Sequence, residues 1–76
     1  MTLTPEQLAV LSQLRDAREF LRLRQQTVAE HLGMKRQSYA AIENGLRGLY
    51  AMEMVQLCNL YRITPNRLLG FEGDQP

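Results

Sequence analysis

The sequence predicts an all-α fold: a compact bundle of five short helices that forms a single domain over residues 1–76. Three observations lead to this prediction. Apolar residues recur every three or four positions, the period of a helix that is buried on one side. No segment has the alternating pattern of a half-buried strand. Threonine–proline pairs and glycines stand where helices are expected to begin and end. The folded core is expected at about residues 5–70, with a frayed tail at 71–76.

The first helix is expected from about residue 5 to residue 21. Thr4 can cap its start, Pro5 suits the first helical position, and Gln7 completes a capping box. The residues on its inner side follow helical spacing and are predicted to be buried. They are Val10, Leu14, Ala17 and Leu21.

The second helix is expected from Gln25 to Leu32, and the third from Arg36 to just before Gly45. Gly33 follows the second helix, and glycine most easily adopts the left-handed conformation that ends a helix. Only three residues separate the two helices, so a steep crossing is favoured over an antiparallel hairpin. The sequence therefore predicts a helix-turn-helix over residues 25–44, in which the third helix protrudes.

The fourth helix is expected from Ala51 to Tyr61. The fifth is expected from Thr64-Pro65 onward, because a threonine that can cap a helix is again followed by proline. The inward residues of helices two to four share helical spacing. They are Val28, Ala29, Leu32, Tyr39, Ile42, Met54, Leu57, Cys58 and Tyr61. The last helix carries Leu68 and Leu69.

Charge and cysteine content narrow the function classes. Most of the basic residues lie between residues 15 and 47, but the net charge is only +1, and a mixed solvated surface would explain this distribution equally well. Cys58 and His31 are the only residues of their types, so we expect no disulfide, no metal site and no cofactor. An enzyme is the least favoured class, because no catalytic cluster stands out. No run of apolar residues approaches the length of a membrane span and no signal peptide is recognisable, which predicts a cytoplasmic protein without a membrane partner.

The outer side of the third helix has a composition that suits DNA. Arginine can form two hydrogen bonds with guanine in the major groove, and glutamine can do so with adenine. Arg36 and Gln37 lie at the N-terminal end of this side, and the methyl group of Ala41 could contact a thymine methyl. A solvated helix face could have the same composition, so the interpretation depends on the whole segment.

That segment is part of a longer pattern, which runs without a gap from about residue 10 to residue 69. The residues that carry it are Leu14-Arg15, Arg18, Leu23, Gln25, Val28-Ala29, Leu32-Gly33-Met34, Ser38, Ile42-Glu43-Asn44-Gly45, Ile63-Thr64 and Leu68-Leu69. The pattern resembles the Cro and phage-repressor family of helix-turn-helix proteins, often called XRE-type. The resemblance implies a lambda-repressor-like DNA-binding domain.

The resemblance also implies roles for individual residues. Gln25, at the start of the second helix, is expected to bind a DNA phosphate with the help of the helix N-terminus. Arg18 and Glu43 match a buried ion pair that joins the first helix to the third. The positions that match base-reading residues are Arg36, Gln37 and Ala41. The positions that match contacts to phosphates, the DNA backbone or neighbouring bases are Lys35, Ser38, Asn44 and Arg47.

Six positions depart from the family pattern, and one of them is Leu49, which stands where proline is common. Arg24 and Lys35 stand where serine or threonine is usual, so the second and third helices should lack a side-chain cap. Arg22 and Arg62 replace usual glycines, although arginine is disfavoured in a left-handed conformation. Tyr39 is larger than the usual residue, which predicts an outward shift of the third helix.

The leading hypothesis is a sequence-specific transcriptional regulator, a repressor that binds a two-fold operator in double-stranded DNA as a homodimer. Its dimer contacts are expected from Leu68 to Phe71, with a further contribution from the first helix. The alternative is a protein-interaction module, such as an antitoxin or adaptor, whose main partner is a protein. Some apolar residues lie outside the predicted buried side of the helices and could contact such a partner. They are Leu8, Leu11, Phe20 and Phe71.

Overall fold

The computed structural model describes residues 3–70, and this part of the chain contains helices and no strand. The helices are α1 (Pro5–Phe20), α2 (Gln25–Leu32), α3 (Arg36–Glu43), α4 (Ala51–Tyr61) and α5 (Pro65–Leu68). The all-α prediction is confirmed. The predicted tail at 71–76, including Phe71, lies outside the described residues. Between residues 3 and 70, no helix is both long and apolar enough to cross a bilayer.

The threonine–proline pairs begin helices as the sequence predicts. The hydroxyl of Thr4 accepts a hydrogen bond from the Gln7 backbone N–H at 3.1 Å, and the Gln7 side chain accepts one from the Thr4 N–H at 2.8 Å. This pair is the predicted capping box of α1. The hydroxyl of Thr64 caps α5 by accepting from the Arg67 N–H at 3.1 Å.

Two glycines allow the tight turns on either side of α3. Gly33 ends α2 in the left-handed conformation, with φ of 71°. Gly45, with φ of 75°, follows α3, and a Cβ there would lie 2.5 Å from a methyl carbon of Leu3 and 3.0 Å from one of Leu11. Gly45 therefore permits both the turn and the close packing of this loop against α1.

The two arginines at the usual glycine positions adopt the glycine-like conformation. Arg22, after α1, and Arg62, after α4, both have φ of 58°. The tertiary fold therefore imposes the left-handed turn on residues that disfavour it.

The core lies between all five helices. Its buried apolar residues are Leu14, Val28, Ala29, Tyr39, Ile42, Leu57, Cys58, Tyr61 and Leu68. All of them except Leu68 are among the predicted inward residues, and Leu68 lies on the predicted last helix. One inward prediction is wrong, because Leu21 is 39% exposed. Leu21 follows the last residue of α1 as its C-cap, so helical periodicity no longer applies at that position.

The packing order leaves one side of α3 at the surface. α3 packs mainly against α2 and also against α1, while α4 packs against α2 and α5. α5 also contacts α1, which closes the bundle. The helix-turn-helix pair α2–α3 is thus supported from behind by the other helices.

Candidate nucleic-acid interface

The N-terminal end of α3 presents polar side chains to solvent. Tyr39, Ile42 and Glu43 are buried, and their spacing of three and four residues directs one side of α3 into the protein. Arg36 and Gln37, at the other side, are exposed. A protruding helix end with donors and acceptors of this kind fits the size of a DNA major groove.

The remaining predicted DNA contacts on this segment differ in exposure. Lys35, just before α3, is exposed, and so is Asn44, the C-cap of α3. Ser38 and Ala41 are partly buried. The outer side of α3 therefore carries long side chains at its start and small side chains at its middle. At the middle, the helix backbone could approach a surface closely.

Gln25 connects the exposed end of α3 to the protein interior. Its side-chain oxygen accepts a hydrogen bond from the Arg36 guanidinium at 3.1 Å. Its side-chain nitrogen donates to the buried Glu43 carboxylate at 3.2 Å. Because Gln25 and Arg36 are the first residues of α2 and α3, the two helices begin side by side. Sequence reasoning assigned Gln25 to phosphate alone and missed both protein contacts.

The first backbone N–H groups of α2 and α3 are not capped by a side chain. The N-cap residues are Arg24 and Lys35, and neither helix has a side-chain cap hydrogen bond. The expected loss of both caps is confirmed. Uncapped N–H groups and the positive end of the helix dipole attract anions. Two such ends lie together here, each preceded by an exposed cation, and this arrangement suits the phosphates of a nucleic acid.

A buried ion pair holds α3 against α1. Arg18 Nε lies 2.7 Å from Glu43 Oε2, a second guanidinium nitrogen donates to the other carboxylate oxygen at 3.2 Å, and the side chain of Glu43 is 1% exposed. Burial acts to raise the pKa of Glu43, but hydrogen bonds from Arg18, Tyr39 and Gln25 outweigh it and lower that pKa below its ordinary value. Glu43 is therefore a buried carboxylate that stays ionised.

Two tyrosines extend this network into the core. The hydroxyls of Tyr39 and Tyr61 are 2.6 Å apart. Either hydroxyl can donate in this hydrogen bond, and Tyr39 also contributes to the lowered pKa of Glu43. Burial raises the pKa of Tyr61 to about 12 and that of Tyr39 further. Tyr39, whose size predicted an outward shift of α3, is completely buried with its hydroxyl paired.

Arg47 is separate from this cluster. It lies in the loop between α3 and α4, where its guanidinium donates twice to Glu53, at 2.8 and 2.7 Å, and sits 4.8 Å from the ring centre of Tyr50. Glu53 also accepts from the Tyr50 N–H at 3.1 Å, which caps α4. The charge of this predicted phosphate-binding residue is thus matched by a neighbouring carboxylate.

Sequence reasoning did not single out two charged residues of this region. Arg15 lies 4.0 Å from Glu43 with its side chain 49% exposed. It precedes Arg18 by three residues, a spacing that puts both on the same helix face and could have indicated this position. Glu53 stands three residues after the N-cap of α4, where an acidic residue often caps a helix, but its pairing with Arg47 depends on the shape of the loop.

In residues 3–70, no group of three or more His, Cys, Asp or Glu side chains is arranged to hold a metal ion. No curated protein and no solved structure matches the chain. A family model described as a helix-turn-helix domain does match it, over residues 12–73. Domains of this kind are typically DNA-binding parts of regulators rather than enzymes. The match covers most of the chain, so the protein belongs to the helix-turn-helix domain family.

Proposed function

We propose that this protein is a sequence-specific transcriptional repressor of the XRE type that binds a two-fold operator as a homodimer. The observation that carries the proposal is the exposed start of α3 beside the uncapped start of α2. Arg36 and Gln37 supply donors and acceptors that match base edges in the major groove. The two open helix ends supply sites for phosphates on either side.

The roles divide by position. Arg36, Gln37 and Ala41 read bases, because they lie on the outer side of the protruding helix. The residues that contact phosphates, the DNA backbone or neighbouring bases are Gln25, Lys35, Ser38, Asn44 and Arg47. Arg18 and Glu43 have only a structural role, since the charge of each is paired with that of the other.

Gln25 has a second role in this proposal. Its contact with Arg36 fixes the direction from which the guanidinium approaches a base, and its contact with Glu43 fixes Gln25 itself. Loss of Gln25 should therefore weaken binding to all sequences and also alter preference at the base pair read by Arg36. The neutral base reader Gln37 should keep its preference.

The test begins with selection of bound duplexes from a random DNA pool. The affinity of each variant is then measured for the selected operator and for each of its single-base-pair substitutions. Arg36→Ala and Gln37→Ala should each lose about 1–3 kcal/mol of binding free energy. Each should also relax preference at one base pair per half-site.

Matched controls use the same substitutions on other helices. Arg67→Ala on α5 and Gln56→Ala on α4 change exposed residues of the same types. Both should leave the base-preference profile unchanged. If Arg36→Ala and Gln37→Ala resemble these controls, α3 does not read bases through these side chains, and the proposal is wrong.

A protein-interaction module, such as an antitoxin or adaptor, is the second candidate function. The observation that favours it is the exposure of Phe20 and Leu8, at 83% and 53%, on α1. Large apolar side chains on one helix can form part of a partner surface. If no DNA sequence is selected from the random pool, the protein-interaction module becomes the better-supported function.

A further inference from the structure

An apolar groove of about 450 Å³ opens at the C-terminal end of α3. The loop after α3 forms one wall with Leu46 and Leu49, and α1 forms another with Val10 and Leu11. Leu69, at the end of α5, completes the lining. The groove lies about two helical turns from Arg36 and Gln37, at the opposite end of α3.

The groove offers little to orient a small polar ligand. Among the described residues that line it, the polar side chains are Gln7 and Arg47. The Gln7 side chain is hydrogen-bonded in the capping box of α1, and the Arg47 guanidinium is hydrogen-bonded to Glu53. Small-molecule sites normally contain a few polar groups that converge on the ligand. A large apolar side chain from a protein is the better occupant.

The same surface carries such a side chain. Leu46 stands on the rim of the groove and is 82% exposed. A protrusion beside a depression of the same chemistry is the arrangement that a two-fold contact requires, because each copy then inserts into the other. We propose that the groove receives Leu46 of a second copy of this chain, and that this reciprocal contact is the core of the dimer interface. This inference rests on the proposed DNA-binding function.

Charge and position both favour a second copy. Arg47 is the one charged residue among the described residues of the lining, and it is neutralised by Glu53, so identical surfaces meet without repulsion. The N-terminal end of α3 remains uncovered, because it lies at the other end of the helix.

Exposed apolar side chains next to the groove extend the surface. Tyr50 and Met52, at the start of α4, are 64% and 71% exposed. A stable interface needs about 800 Å² from each partner, which is more than one leucine can supply. These neighbours provide contact area around the central insertion.

The experiment measures self-association by sedimentation equilibrium without DNA and compares two variants of equal exposure. Leu46→Glu should raise the dimer dissociation constant at least tenfold, because it would insert a carboxylate into an apolar groove. Phe20→Glu changes a side chain of matching exposure, 83%, on α1 and should leave the constant within twofold of wild type. Thermal unfolding of both variants checks that each still folds.

A second variant changes the groove itself rather than the side chain that is inserted into it. A Cβ at Gly48 meets no atom within 4 Å, so Gly48→Glu should fold normally while it places a charge in the lining. It should weaken the dimer as Leu46→Glu does.

Other outcomes overturn the inference. These are an unchanged dissociation constant for Leu46→Glu, a dimer disrupted by Phe20→Glu instead, or a wild-type protein that stays monomeric up to about 1 mM. A wild-type monomer that dimerises once residues 71–76 are removed would mean that this segment covers the groove. Binding of Leu46→Glu to half-site DNA separates the two proposals: it should persist if only the dimer contact is lost, and be absent if the DNA-binding function is wrong.

Discussion

Two arginine–glutamate pairs among the described residues have similar geometry and different surroundings. Arg18–Glu43 and Arg47–Glu53 each include a contact of 2.7 Å. The first joins residues 25 positions apart on different helices, with the arginine side chain 14% exposed and the carboxylate 1%. The second joins residues six positions apart, with side-chain exposures of 29% and 14%.

The difference teaches where a salt bridge stabilises a fold. Removal of one partner of a buried pair strands a charge away from water, whereas a charge nearer the surface is rehydrated more easily. Glu43 has an additional function that Glu53 lacks, because it lies on α3 and accepts hydrogen bonds from side chains of both α1 and α2. The buried pair therefore organises the helix-turn-helix, and the other pair shapes one loop.

The largest expected effect is the loss of stability in Glu43→Ala. The substitution leaves Arg18 buried without its counterion and should lower the free energy of unfolding by about 3 kcal/mol. Glu53→Ala is the matched control and should cost about 1 kcal/mol or less. Chemical denaturation of the two variants measures both values. Equal losses would remove the distinction between the pairs.

A smaller effect is expected from the tyrosine that extends the buried pair. Tyr39→Phe removes the hydroxyl that pairs with that of Tyr61, so a buried hydroxyl loses its partner, at a cost of about 1–2 kcal/mol. Tyr50→Phe removes a hydroxyl from the exposed tyrosine beside Arg47 and should be nearly neutral. Urea unfolding midpoints compare the two. A neutral Tyr39→Phe would contradict a stabilising hydrogen bond between the two tyrosines.

Acid should weaken the buried pair gradually. The pKa of Glu43 is lower in the folded state than in the unfolded chain, where it is near 4.3. Its contribution is therefore complete above that unfolded value and is lost as the pH falls through the folded value. Stability measured from pH 6 downward should decline more steeply for wild type than for Glu43→Gln. Parallel curves would indicate that Glu43 is not the group that titrates.

The smallest effect concerns the exposed pair and DNA. Glu53→Gln frees the Arg47 charge and should change stability by less than about 1 kcal/mol. If Arg47 lies near a phosphate, the salt dependence of DNA binding should steepen by up to about one unit of slope. Arg47→Ala should flatten it. An unchanged slope in both variants would contradict a phosphate contact by Arg47.

The sequence predicts the helices well because their signals are local. Thr4, Thr64 and Gly33 act within a few residues of the helix ends they define, so no knowledge of the tertiary fold is required. The buried positions follow from periodicity, and this reasoning fails at Leu21, where the helix has already ended.

The partners of side chains are harder to predict. Gln25 contacts both Arg36 and Glu43 because α2 and α3 begin together, which is a property of the folded turn. Arg47 pairs with Glu53 because the loop bends between them. Neither contact has a fixed spacing in sequence. The residues that touch DNA remain a prediction for the same reason, since the choice depends on how α3 meets the groove.

The left-handed arginines have a consequence for the thermal range of this protein. Arg22 and Arg62 both hold φ at 58°, a conformation that glycine adopts with less strain. Arg62 lies between α4 and α5, outside the helix-turn-helix pair α2–α3. Replacement of Arg62 by glycine should therefore add about 0.5–1 kcal/mol of stability, or roughly 2–8 °C in melting temperature for a domain of this size. A single change in the turn between α4 and α5 should thus let the same fold persist to a higher temperature.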